Sequence, residues 1–106
     1  MTDKRLMLTT TGSRDEAEKI AAELVGRQLA ACVNILGPIA SVYRWQGKVE
    51  RAEEFLLLIK STETLRPRIE AAIRQLHSYE VPELISFTVD AGLDTYLAWI
   101  AQSVGE

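Results

Sequence analysis

The single histidine of this chain, His77, lies in the segment LHSYEVPE at residues 76–83. Its imidazole nitrogens are favoured ligands for copper and zinc, and they can also transfer protons or hydrogen-bond to a backbone carbonyl. Tyr79, Glu80 and Glu83 follow closely and add a phenol and two carboxylates. The segment is therefore predicted to be either a ligand-binding loop or a loop that the histidine holds in place.

Two further side chains could bind metal or a charged ligand. Cys32, the only cysteine, offers a soft thiolate that suits Cu(I), although most buried cysteines act as small hydrophobic residues. Lys60 follows the apolar run FLLLI, where a lysine usually extends its ammonium group to solvent. Because one chain supplies one histidine and one cysteine, a closed four-ligand site within a monomer is not expected. A site shared between neighbouring copies stays open.

The elements that position these residues follow from hydrophobic periodicity and turn signals. Each predicted helix has one apolar stripe: Ala17, Ile20, Ala21, Leu24 and Val25 in the first, Leu65, Ile69, Ala72, Ile73 and Leu76 in the second, and Tyr96, Leu97, Ile100 and Val104 in the third. The predicted order is a strand at 4–10, a helix from Ser13 with Glu16 completing a capping box, a hairpin at 30–61 turning at Gln46-Gly47, a helix from Thr64, a strand at 83–90 and a helix at 94–104.

This order of elements predicts one α+β domain over residues 1–106, with a ferredoxin-like βαββαβ fold and a C-terminal helix. Both crossover helices are expected to cover one face of an antiparallel four-stranded sheet. Gly37-Pro38 is expected to bend the first arm of the hairpin, because proline cannot donate to a central ladder.

The hairpin is predicted to be too long for its own sheet. The two outer strands span roughly 23 Å, whereas arms of about 15 residues span roughly 45–50 Å. The excess includes Val42, Tyr43, Trp45 and Val49. An isolated two-stranded ribbon is marginally stable in water, and an open strand edge invites pairing. We therefore expect a homotrimer closed through the hairpins, the alternative being a ribbon that curls over its own core.

Composition excludes several classes of protein. The chain carries 12 basic and 15 acidic residues, a net charge of −3 and a pI near 5.2, which argues against nucleic-acid binding and against a polybasic membrane surface. No apolar run reaches the roughly 18 residues that a membrane span requires. A single cysteine fits a reducing compartment, so a cytoplasmic location is expected.

Several stretches carry a resemblance to a known family. LAACVNI, SVYRWQGKVE, EFLLLIKS, HSYEVPELI and YLAWI have the order and spacing found in the CutA family of divalent-cation-tolerance proteins. The resemblance implies a non-enzymatic homotrimer, linked to copper or another divalent cation, that binds metal ions or a small ligand in clefts between subunits. It implies His77 and Cys32 as metal ligands, and Lys60, Tyr79, Glu80 and Glu83 as residues of the ligand cleft.

The chain also departs from a pattern found in some members of that family. Those members carry a metal-implicated cysteine at the end of the first strand and paired histidines before the helix-to-strand turn, where this chain has Thr9 and Leu76-His77. The alternative function is a PII-like signalling or small-anion-binding trimer with no direct metal role. An acylphosphatase-like enzyme is disfavoured because Asp15 and Glu16 occupy the positive helix end. A metallochaperone would need a Cys-x-x-Cys pair, and an RNA-binding sheet would need a basic surface.

Overall fold

The computed structural model describes all 106 residues. The sheet has the order β2-β3-β1-β4, and β1 pairs antiparallel with both β3 and β4. This is the ferredoxin-like arrangement that the sequence predicts. The elements are β1 (Lys4–Thr11), α1 (Arg14–Gly26), β2 (Cys32–Trp45), β3 (Lys48–Thr62), a 3-10 turn (Glu63–Leu65), α2 (Arg66–Leu76), β4 (Ile85–Thr88) and α3 (Asp94–Ser103).

The core forms between one face of the sheet and helices α1 and α2. Alternate residues of β1 and β3 point into it, and the helices contribute their apolar stripes. The predicted stripes are confirmed for α1 and α2, except that Val25 is exposed. Helix α3 packs against β3 and adds Ile100 and Val104 to the core cluster. None of the helices combines the length and the apolar character that crossing a bilayer requires.

Local details correct two of the predicted boundaries. Ser13 is the N-cap of α1 and its hydroxyl accepts from the Glu16 amide at 3.1 Å, but the Glu16 carboxylate accepts from the Ser78 amide instead of closing the capping box. Strand β4 has four residues instead of the predicted eight. Its ladder stops at the Leu8–Ile85 pair, and farther along β1 the Thr10 carbonyl accepts from a histidine ring instead of a strand amide.

The hairpin of β2 and β3 extends well beyond the rest of the sheet. β2 pairs with β3 as far as Trp45–Lys48, whereas β1 reaches only Phe55 on β3. Seven residue pairs, from Ile39–Glu54 to Trp45–Lys48, therefore have no other strand beside them. We call residues 39–45 and 48–54 the ribbon. It accounts for the long axis of the chain, 44 Å against 25 and 22 Å in the other directions, and it confirms the predicted overshoot.

Two glycines permit the shape of this hairpin. Gln46 and Gly47 form its two-residue turn with φ of 51° and 80°, the left-handed backbone that a tight hairpin turn needs and that glycine adopts without steric cost. At Gly37 the β2–β3 register shifts between Leu36 and Ile39. A Cβ atom at Gly37 would lie 2.5 Å from Cδ2 of Phe55, so the bend and this ring fit together only around a residue without a side chain.

We predict that Gly37→Ala destabilises the protein by about 1–3 kcal/mol, because the added methyl forces the Phe55 ring out of its position. Urea unfolding at fixed protein concentration, followed by tryptophan fluorescence, measures this. Gly26→Ala is the matched control, since nothing lies within 4 Å of a Cβ at that position. Equal stability of the two variants would contradict the packing role given to Gly37.

Candidate functional site

His77 fastens the loop that follows α2 to the end of β1. Its side chain is 0% exposed. Nε2 lies 2.6 Å from the carbonyl oxygen of Thr10, and Nδ1 accepts from the Tyr79 amide at 3.0 Å. Because a carbonyl only accepts, Nε2 carries the hydrogen, and a neutral ring satisfies both contacts. The loop-anchoring role considered from the sequence is therefore present in the structure.

Glu16 fastens the same loop to the start of α1. One carboxylate oxygen, Oε2, accepts from the Ser78 amide at 2.7 Å and lies 3.8 Å from Nδ1 of His77. The loop from residue 77 to residue 84 is thus held at its beginning by β1 and by α1. These anchors fix the backbone from which Tyr79 extends.

The Tyr79 phenol points to the buried carboxylate of Glu54 on β3. Its hydroxyl donates to Oε2 of Glu54 at 2.7 Å, and Glu54 is 7% exposed. Burial, and then the hydrogen bond and charge of Glu54, raise the pKa of Tyr79 well above its usual range, so this residue stays a donor. A Cβ atom on Gly12 would come within 3.2 Å of the phenol oxygen, so the close approach of β1 suits a glycine.

A cleft of about 530 Å³ opens between the ribbon and this loop. Its walls carry three carboxylates and three aromatic rings, and none of its ten lining residues is basic. Burial, together with the nearby charge of Glu54, raises the pKa of Glu83, as expected where negative groups share a partly desolvated space. The lining residues are Thr10, Ser41, Val42, Tyr43, Trp45, Glu54, Tyr79, Glu80, Val81 and Glu83.

The structure brings only part of the predicted site together. Tyr79, Glu80 and Glu83 line the cleft, whereas His77 does not line it and acts through Tyr79. Cys32 and Lys60 face each other at the other end of the β2–β3 ladder. There the Lys60 ammonium lies 5.7 Å from the centre of the Tyr96 ring, so within one chain Lys60 is not beside the Tyr79-Glu80 turn as predicted.

Direct metal binding by His77 would need a free nitrogen lone pair, and Nδ1 already accepts a hydrogen bond. The Cys32 sulfur is 3.7 Å from the Asn34 side-chain oxygen and apart from the cleft. No group of three or more His, Cys, Asp or Glu side chains is arranged within the chain as a metal site. Thr9, at the position of the family's metal-implicated cysteine, is fully buried, and its hydroxyl oxygen has no hydrogen-bond partner.

Glu54, the carboxylate at the centre of this site, was missed from the sequence. It lies in the run RAEEF beside Glu53, and the two are equivalent as letters. Alternation along β3 places Glu54 against the cleft and leaves Glu53 exposed on the opposite face. The signal was available only with the register of β3, because a one-residue shift exchanges the two faces.

A ferredoxin-like α+β domain with an overlong central hairpin and an acidic cleft at its base defines the class of protein. Residues 5–103 match the model of the CutA1 family, described as CutA1 divalent ion tolerance protein, and the chain belongs to this family.

Relatives and solved structures agree in sequence and fold. The divalent-cation tolerance protein CutA of Thermus thermophilus is 39% identical over 96% of this chain and 99% of its own. Its crystal chain superposes with a TM-score of 0.94, and CutA from Xylella fastidiosa, also 39% identical, with 0.95 over 97% of this chain and 99% of that one. Protein CutA, chloroplastic, from Arabidopsis thaliana is 39% identical over 92% of this chain, which spans 54% of that protein.

We predict that Tyr79→Phe destabilises the protein by about 1–3 kcal/mol, because it leaves the buried Glu54 carboxylate without its donor. Urea unfolding at pH 7 measures the loss. Tyr96→Phe is the matched control: Tyr96 is 39% exposed against 37% for Tyr79. We expect the control to change stability by less than about 0.5 kcal/mol. An unchanged Tyr79→Phe variant would contradict the importance of the phenol–carboxylate bond.

Proposed function

We propose that this protein is a non-enzymatic, homotrimeric divalent-cation-tolerance protein that binds a divalent cation, copper included, in the acidic cleft beside the ribbon. One observation carries the proposal: Glu54, Glu80 and Glu83 line one cleft that contains no basic side chain. Carboxylate oxygens bind divalent cations, and a cation would relieve the repulsion that raises the pKa of Glu83. Family membership supports the link to divalent cations.

The trimer is supported by two surfaces that one chain leaves open. The ribbon has free strand edges and carries the exposed side chains of Val42 and Val49. The sheet face that points away from α1 and α2 holds Leu36, Ile85 and Phe87, each about half exposed. Pairing with copies of the same chain would cover both surfaces, and a closed ring would leave no unpaired ribbon.

In such an assembly a neighbouring copy would complete each cleft. The predicted contributions of Lys60 and Cys32 then depend on contacts between subunits, since neither reaches the cleft of its own chain. Direct metal binding by His77 requires it to release the Tyr79 amide. We therefore propose the carboxylates as the cation ligands and His77 as the residue that positions their loop.

The PII-like, small-anion-binding alternative receives less support from this site. An anionic ligand would meet three carboxylates and no basic group of the same chain. A cytoplasmic location stays a prediction, because members of the family are named for different compartments, chloroplastic in Arabidopsis thaliana and periplasmic in the Archaeoglobus fulgidus structure.

We predict that the purified protein has three times the 11.8 kDa mass of one chain. Size-exclusion chromatography with light scattering measures this over a hundredfold range of concentration. The trimer is expected to persist throughout, because its interface includes backbone pairing along the ribbon. A single-chain mass would contradict the trimer and the completion of the cleft by a neighbour.

We predict that Cu²⁺ or Mn²⁺ binds by calorimetric titration and that Glu54→Gln and Glu83→Gln each weaken this binding by about tenfold or more, since each removes a charged ligand. Binding should strengthen as the pH rises and Glu83 ionises, because the proton and the cation compete for one carboxylate.

Glu53→Gln is the matched control, one residue along β3 but outside the cleft, and should bind as the unmodified protein does. His77→Gln and Cys32→Ser test the ligands predicted from the sequence. If Cys32→Ser or His77→Gln abolished binding while both cleft variants retained it, the metal site would be the one predicted from the sequence and the carboxylate proposal would be wrong.

A further inference from the structure

The cleft has an aromatic half that a bare metal ion does not use. Tyr43 and Trp45 from the ribbon and Tyr79 from the loop line it together with the carboxylates. Trp45 and Tyr43 are 42% and 43% exposed. A hydrated divalent ion gains its affinity from oxygen ligands, so the rings point to a ligand with carbon as well as charge.

The faces of these rings are not occupied by the chain's own cations. Two cation–π contacts exist in the molecule, Arg14 with Phe55 at 4.9 Å and Lys60 with Tyr96 at 5.7 Å. Neither involves a ring of the cleft. Aromatic faces beside carboxylates, with no internal cation to neutralise them, form a surface of strong negative potential.

We propose that the cleft binds an organic ammonium cation, an amine whose positive charge is surrounded by methyl or methylene groups. The rings would contact the carbon-bound hydrogens through cation–π attraction, and Glu54, Glu80 and Glu83 would supply the balancing charge. A cleft of about 530 Å³ has the size of a small-molecule site. The inference rests on the proposed function in that it uses the same cleft, but it depends on different residues.

The charge and the shape of the ligand can be separated with one pair of probes. Choline is an organic ammonium, and 3,3-dimethylbutan-1-ol has nearly the same shape with carbon in place of the charged nitrogen. Calorimetric titration of the assembled protein, at constant ionic strength and without metal, should show binding of choline and at least tenfold weaker binding of the alcohol. Equal binding of the two, or no binding of choline, would overturn the inference.

The aromatic wall is tested by Trp45→Leu, which should weaken choline binding by about tenfold. Trp99→Leu is the matched control, since Trp99 is 43% exposed but lies on α3 outside the cleft. If Trp45→Leu no longer assembles, Tyr43→Leu tests the same wall. Unchanged choline affinity in an assembled variant of the wall would also overturn the inference.

The same variants separate this inference from the metal proposal. Trp45→Leu should keep the Cu²⁺ or Mn²⁺ affinity of the unmodified protein, whereas Glu83→Gln should weaken both kinds of ligand. Choline binding without any metal binding would leave the inference standing and remove the metal proposal. Metal binding without choline binding would do the reverse.

Discussion

The hydrogen-bonded ladder between β2 and β3 is the constraint on which the rest of this molecule depends. It continues for seven residue pairs after β1 has ended, so the chain builds a ribbon that its own sheet does not support. The ribbon forms one wall of the acidic cleft, and Glu54 lies where the ribbon joins the sheet. The position of the cleft and the need for further copies of the chain both follow from this one excess of length.

The second wall depends on a chain of polar contacts that ends in the cleft. Thr10 of β1 holds the ring of His77, this ring holds the Tyr79 amide, and the Tyr79 phenol holds the Glu54 carboxylate. A buried carboxylate needs such a donor, because an unpartnered charge in a desolvated place is costly. The contacts therefore tie the loop to the ribbon, and they explain how a histidine outside the cleft can determine its shape.

Most of the fold could be predicted from the sequence, because periodicity and turn chemistry act locally. The stripes of α1 and α2, the Ser13 cap and the Gln46-Gly47 turn all appear as expected. Strand β4 was predicted too long because its end depends on a contact from a distant ring to Thr10. The site was only partly predictable for the same reason: Glu54 is distinguished from Glu53 by strand register, and the separation of Lys60 from the Tyr79 loop depends on where along the sheet each lies.

The account is tested most directly by hydrogen exchange at the amides of residues 39–45 and 48–54 that point away from the hairpin. These amides have no partner strand within one chain. If copies of the chain cover the ribbon, they should exchange as slowly as the paired amides between β1 and β3. Exchange at the rate of exposed, unbonded amides in the purified protein would show that the ribbon stands alone, and would contradict the account.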